Sequence, residues 1–202
     1  MLKVALTGGI ATGKSYVLER LRRRGIPCLD ADELAHGVTA SGTEATAAIA
    51  ARFGEAVLAA DGSVDRATLG PIVFADPSAR GELEAIVHPA VHRAITAGVR
   101  AFERTGEYAF AVVDIPLLYE TGGDKNLDRV IVTTCPPETQ IARLVARGLT
   151  EDAARQRLAA QLPSEAKASR GDIVIRTDGT FEETDRQINE TVVSLTNLER
   201  RT

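Results

Sequence analysis

Gly8-Gly9-Ile10-Ala11-Thr12-Gly13-Lys14-Ser15 is the stretch on which the fold turns. The octet satisfies G-x-x-x-x-G-K-[ST]. It stands between an apolar run at 2–7 and a segment, 14–24, in which Val17, Leu18 and Leu21 fall on one helical face and which Gly25 ends. Strand, glycine turn and helix in that order aim successive backbone N–H groups into one concavity, at the positive end of a helix. Such a nest holds phosphate. Lys14 is then expected to reach the β- and γ-phosphates of a nucleoside triphosphate, and Ser15 to offer its hydroxyl, with water, to Mg2+. Gly8, Gly9, Ala11, Thr12 and Gly13 supply the rest of the cradle.

Working outward, apolar runs at 26–30, 109–114, 129–134 and 173–175 read as four more strands. They are continuously apolar rather than alternating, which predicts a parallel sheet covered on both faces. Helices are expected at 138–147, at 151–160 behind Thr150, and from Thr180, where Thr180 and Glu183 form a capping box and Ile188, Val192 and Leu195 point inward. From about 42 to 105 the pattern is helical throughout. Ile49, Phe53 and Val57 share a stripe, Asp76-Pro77-Ser78 punctuates, and Pro89 marks a second helix start with His88 just before it. That is too long for a simple crossover and predicts an inserted helical subdomain.

Composition narrows the function. A chain of 202 residues, 44% hydrophobic and 26% charged, suffices for one compact domain with an insertion. No apolar run approaches the roughly 18–20 residues of a membrane helix, and Lys3 within the first strand argues against a signal peptide. Cys28 and Cys135 make no paired motif, and reduced cytosolic thiols are expected. A net charge of −4 disfavours non-specific nucleic-acid binding, so anions are handled at a local site. Of 24 basic residues only Lys3, Lys14, Lys125 and Lys167 are lysine. Codon bias and phosphate recognition by arginine's planar fork both account for that imbalance.

The base-reading N-K-x-D of GTPases is missing; Lys125-Asn126-Leu127-Asp128 has the wrong order. The third strand ends Asp114-Ile115-Pro116, without the adjacent glutamate that activates water in many ATPases. Transfer to a bound acceptor is therefore favoured over hydrolysis. Asp30 and Asp32, at i and i+2, are expected to face one side of an extended stretch at the carboxyl edge of the sheet. One would be a general base, the other a ligand for Mg2+-bound water or a helix cap. His88 and His92 have the spacing of a helical zinc pair but no third ligand, so packing near an acceptor is expected of His88. A kinase for a nucleoside, a nucleotide or another small acceptor, and a slowly hydrolysing regulatory switch, both remain open at this point.

The segments 6–15, 30–36, 88–89, 114–120 and 140–161 occur in the order seen in dephospho-CoA kinases, which the chain resembles over nearly its whole length. The resemblance implies an α/β P-loop NTPase fold: a five-stranded parallel sheet flanked by helices, an inserted helical acceptor domain and a helical lid. The nucleotide-binding core would comprise 1–32, 107–146 and 171–202, the acceptor domain 33–106 and the lid 147–170. It implies ATP-dependent phosphorylation of the ribose 3′-hydroxyl of dephospho-CoA, the last step of coenzyme A biosynthesis, with Mg2+. Lys14, Asp32 and Arg147 would be catalytic, Asp32 as base and Arg147 as the lid arginine on the transferring phosphate. Tyr16 and Arg143 would join the loop on the donor. Thr7, Asp32, His88, Asp114, Pro116, Leu117 and Leu118 would face the substrate, with His36 behind. The small molecule dephospho-CoA would be the partner, with no nucleic acid or membrane, in a cytoplasmic monomer or weak homo-oligomer. Ala11 replaces a usual glycine and is expected at φ < 0. Tyr16 replaces a usual threonine. Thr177 replaces an asparagine near the adenine, which leaves the choice between ATP and GTP unread.

Overall fold

The structure, a computed structural model, describes residues 1–123 and 127–200. The expected mis-ordered tetrapeptide at 125–128 thus lies partly outside the described residues. The chain divides into two compact units, one of residues 1–29 and 101–202, the other of 30–100.

The first unit is a parallel sheet covered on both sides. Its strands are β1 (Leu2–Gly8), β2 (Cys28–Asp30), β3 (Phe110–Asp114), β4 (Arg129–Thr134) and β5 (Ile173–Arg176), in the order β2-β3-β1-β4-β5. β1 pairs in parallel with β3 and β4, and β4 with β5. Alternation along β1 explains why it is apolar throughout. Val4 and Leu6 point into a core with Phe110, Val112, Ile131 and Ile175, whereas Ala5 points to the other face, with Leu118, Val130 and Val132. The first core is closed by α1 (Lys14–Arg23), through Val17, Leu18 and Leu21, and by α9 (Phe181–Glu199), through Ile188 and Leu195.

Local chemistry ends these helices where the residues indicate. Past α1, the N–H of Gly25 reaches the carbonyl of Arg22 at 2.9 Å and that of Ile26 reaches Leu21 at 3.2 Å, the paired bonds of a glycine-terminated helix. α9 opens on the capping box: the Thr180 hydroxyl accepts from the Glu183 N–H, and the Glu183 carboxylate accepts from that of Thr180. Between β4 and β5 lie α6 (Pro137–Ala146), α7 (Glu151–Ala159) and a short α8 (Ser164–Ala168), the last absent from the sequence reading.

The second unit holds α2 (Ala31–Val38), α3 (Glu44–Phe53), α4 (Arg66–Ala75) and most of α5 (Pro77–Thr105). Ile49, Val57 and Leu69 form its core, flanked by Phe53, Leu83, Ile86 and Val87. Two expectations fail here. The region is not helical throughout: Gly54, at φ 88°, ends α3, a 3-10 turn spans Glu55–Val57, and Leu58 bridges antiparallel to Val64. Val57 reaches the same core as Ile49, but from the turn. Nor does Pro89 start a helix; it lies inside α5. A proline deletes one N–H donor, and the apolar stripe on both sides of it carries the helix through.

Thr180→Ala should lower stability by about 1 kcal/mol, the usual worth of such a cap. Ile188→Ala, which empties a fully buried position, should cost about 2–5 kcal/mol. Denaturant midpoints at constant slope measure both, and equal losses would contradict the separation of cap from core.

Candidate active site

The strand order reverses direction beside β1, so the carboxyl ends of β1, β3 and β4 meet at one edge, the place where open α/β sheets bind ligands. Register sets the partners. Gly8 lies opposite Thr133 and Leu6 opposite Asp114. The loop comes so close to β4 that a Cβ on Gly8 would lie 2.2 Å from the Thr133 hydroxyl oxygen and 2.8 Å from the Thr133 carbonyl.

An amide nest requires the carbonyls between its N–H groups to turn away, and buried carbonyls need donors. Each has one here. The Thr12 hydroxyl donates to the carbonyl of Gly9 at 2.8 Å. Gln140 Nε2 donates to Ile10 at 2.6 Å, an Arg143 guanidinium N–H to Ala11 at 3.0 Å, and the Thr177 hydroxyl to Thr12 at 2.8 Å. Arg143 also donates to the Thr177 hydroxyl at 3.1 Å and to its carbonyl at 2.5 Å. Arg143 was expected on the donor. Its guanidinium grips the loop carbonyl of Ala11, and the residue also lines an adjoining cavity.

Ala11 departs from expectation, at φ 60°. A left-handed alanine costs on the order of 1–2 kcal/mol. Its methyl is buried among Ile141, Leu144 and Ala154, and Arg143 holds its carbonyl, which together impose the conformation.

The Lys14 ammonium is held by Asp114, at 2.6 and 2.5 Å from the two carboxylate oxygens. Asp114 is buried at the end of β3. A cavity of about 200 Å³ opens over residues 8–15, with Pro116, Arg147 and Gln161 on its rim. Ser15 is exposed there. Arg147 is exposed too, and is the C-terminal cap of α6 rather than a residue of the helix face. Gln161 Oε1 accepts the Ile10 N–H at 3.0 Å, so a side-chain oxygen sits on one amide of the nest.

Beside this cavity a second is lined by Gly13, Tyr16, Arg143, Arg147, Thr177 and Phe181. The Tyr16 ring lies 4.9 Å from that of Phe181, and its hydroxyl donates to Asp185 at 3.1 Å. Burial, together with that carboxylate, raises the Tyr16 phenol above its ordinary value. Asp185 is held below the usual carboxylate range, chiefly by the Arg20 guanidinium. Burial raises both thiols, Cys28 to about 11. Neither is an activated nucleophile.

Two expected substrate contacts are withdrawn from the surface. Thr7 is fully buried, its hydroxyl donating to the Pro116 carbonyl at 3.2 Å. Leu118 is fully buried in the core of the second sheet face. The apolar lower face of the sheet claims it, and leaves Leu117 exposed and Pro116 on the cavity.

In the second unit, Asp30 and Asp32 do not share an extended face. Asp30 caps α2, its Oδ1 accepting from the N–H groups of Asp32 at 2.9 Å and Glu33 at 3.2 Å. Those bonds turn the chain into helix at once, so Asp32 stands exposed in the first turn. His36 is exposed, near the end of the same helix. His88 is exposed on the rim of a separate cavity lined by apolar side chains with Arg66 and Glu84. Among the described residues no three of His, Cys, Asp and Glu cluster to hold a metal ion.

Sequence reasoning missed Thr133, Gln140 and Gln161. For Gln140 a signal existed: it lies on the buried stripe of α6 with Ile141 and Leu144, and a polar side chain there needs a partner. Thr133 and Gln161 owe their place to register and to the path of the chain after α7, which spacing does not reveal.

Gly8→Ala should abolish tight nucleotide binding, by at least about tenfold in Kd, because the methyl would meet the Thr133 and Thr12 hydroxyls and, at 2.8 Å, the Thr133 carbonyl of β4, which as strand backbone cannot yield. Gln140→Leu orphans the Ile10 carbonyl and should cost about 1–3 kcal/mol of stability. Calorimetric titration with ADP and thermal unfolding read the two effects, and wild-type affinity in the alanine variant would refute the close-approach argument.

Comparison with known proteins agrees with this geometry. The family model described as CoaE, dephospho-CoA kinase, matches residues 2–183. A dephospho-CoA kinase of Geobacter sulfurreducens is 47% identical over 188 residues, covering 93% of this chain and 95% of the relative. A crystal structure from Thermus thermophilus superposes with TM-score 0.75 at 31% identity, covering 96% of this chain and 97% of that one. The dephospho-CoA kinase of Campylobacter jejuni gives 0.74 at 27% identity, with the same coverage. The family match over most of the chain and the superposable structures agree, and the chain belongs to the dephospho-CoA kinase family.

Proposed function

We propose that the chain transfers the γ-phosphoryl group of ATP to the ribose 3′-hydroxyl of dephospho-CoA, giving coenzyme A and ADP. The observation that carries this reading, beside the family, is the loop: its carbonyls are tied to side-chain donors, and residues 8–15 line one cavity that includes Lys14 and Ser15. Preorganised positive groups of this kind are the main catalytic lever in phosphoryl transfer.

In the proposed reaction the 3′-oxygen attacks the γ-phosphorus in line, its proton passes to the carboxylate of Asp32, and the bond to the β-phosphate oxygen breaks. Exposure at the first turn of α2 leaves that carboxylate able to meet a substrate, since Asp30 and not Asp32 is committed to the cap. Lys14 exchanges Asp114 for the β- and γ-phosphates. Ser15 and Asp114 offer hard oxygen donors of the kind Mg2+ takes with water, and the bound ion would screen phosphate charge. Arg147, on the rim of both cavities, would close over the transferring group with the lid at 147–170. Tyr16 would flank the donor, and Arg143 would serve it by holding the loop. Leu117, Pro116 and, from the acceptor domain at 33–106, His88 would face dephospho-CoA.

Purified protein should release ADP only when dephospho-CoA is added with ATP and Mg2+. Release with nucleosides instead, or slow release without any acceptor, would refute the proposal in favour of another kinase or a switch. Asp32→Asn should keep ADP affinity and lose at least about 10²-fold in kcat. Lys14→Ala should lose productive ATP binding. Near-normal turnover in the first variant would remove Asp32 from its role.

A further inference from the structure

Of the lysines in this arginine-rich chain, Lys167 on α8 has 0% side-chain exposure. Lysine is almost never fully buried unless paired, because its ammonium is strongly hydrated in water. Here it is 2.8 Å from Glu120 Oε1 and donates to the Pro116 carbonyl at 3.1 Å. Burial opposes ionisation of Glu120, yet the Lys167 ammonium and backbone N–H groups, that of Leu162 among them, bring its carboxyl below the ordinary value.

What these partners connect matters more than the pair itself. The Pro116 carbonyl also accepts the Thr7 hydroxyl, at 3.2 Å, from the strand that feeds the phosphate loop. The Glu120 carboxylate also accepts the N–H of Leu162, at 3.2 Å. Leu162 follows Gln161, whose side chain holds the Ile10 N–H. Pro116 and Gln161 are both on the rim of the phosphate cavity. The two rims, one after β3 and one after α7, are thus joined by the Lys167 ammonium, which meets two groups of the segment after β3, and by the Leu162 N–H on Glu120. Lysine brings a compact charge on a flexible stem to this enclosed point, where arginine would bring a planar fork with five donors to satisfy.

We propose that Lys167 is a positioning residue for phosphoryl transfer, fixing the acceptor wall at Pro116 and Leu117 relative to the segment at 161–167, the C-terminal part of the proposed lid. This rests on the reading of that wall as the dephospho-CoA side. Lys167 touches no substrate. It acts by holding the Pro116 carbonyl and the Glu120 carboxylate in one place.

Lys167→Met alone strands a carboxylate and should lower Tm. Lys167→Met combined with Glu120→Met removes both charges at nearly constant volume; Lys167 is buried and Glu120 partly exposed, and replacing even a fully buried pair by apolar groups is commonly neutral to stability. The double variant should therefore regain most of the lost Tm. Its kcat/KM for dephospho-CoA should nevertheless stay at least about tenfold below wild type, while the Kd for ADP stays within about twofold. Recovery of acceptor kcat/KM together with Tm would make the pair merely structural and overturn the proposal. So would an ADP affinity that falls in step with acceptor efficiency, which would mean a general disturbance of the loop. A wild-type protein without dephospho-CoA-dependent ADP release would instead refute the functional reading itself.

Discussion

Amides can line a concavity only if the carbonyls between them turn away, and this requirement governs more of the molecule than any other. The carbonyls of Gly9, Ile10, Ala11 and Thr12 each meet a side-chain donor behind the loop: Thr12, Gln140, Arg143 and Thr177. Those donors come from the loop itself, from α6 and from the turn after β5. The loop's shape is thus a property of the sheet and its covering helices rather than of the glycines alone. An unsatisfied buried carbonyl costs about 1–3 kcal/mol, and several such losses would rival the whole stability of a domain. The same accounting explains Ala11. Its left-handed φ is forced from both sides, by a gripped carbonyl and a packed methyl, so a residue ill suited to the conformation still adopts it.

This division shows why the front of the site was legible in the sequence and its back was not. Lys14 and Ser15 announce themselves because phosphate chemistry needs those groups at a fixed spacing along one turn. The sheet was legible because a strand buried on both faces must be apolar at every position, as residues 4–6 of β1 are. Thr133 has no such local signature. Its hydroxyl lies under the loop only because β4 pairs with β1 in the register that sets it beside Gly8. Asp30 and Asp32 were misjudged for a related reason. Their spacing has one meaning in a strand and another in a helix, and a cap bond at Asp30 decides between them. Pro89 shows the converse: a strong local signal was overridden by the packing of a long helix.

Thr177 changes meaning once seen in place. As a departure from the usual asparagine it is a gap on the adenine side. In the structure its hydroxyl accepts from Arg143 and donates to the Thr12 carbonyl, while its side-chain atoms lie 3.2 Å from where a Cβ on Gly13 would stand. A threonine can do this because its branch supplies both a hydroxyl and a methyl at the same depth. The position belongs to the support of the loop.

Two lysines in a net-acidic chain meet carboxylates at this edge of the sheet, and the comparison between them separates the roles of charge. Lys14 is partly exposed and faces a cavity, so its pair with Asp114 is exchangeable: a polyphosphate offers more negative charge at the same point, and freed Asp114 remains a hard oxygen donor beside Ser15. Until then the carboxylate keeps the ammonium aimed and limits the repulsion that an unpaired cation would exert on Arg147, which lies on the same rim. Lys167 is wholly enclosed, with its ammonium on Glu120 and the Pro116 carbonyl, so no ligand can compete for it. The first pair therefore lowers the net gain from binding phosphate while orienting its ligand group, and the second fixes geometry without entering the exchange. Net charge along the chain says little about either, because what matters is which carboxylate each ammonium faces and whether water can reach it.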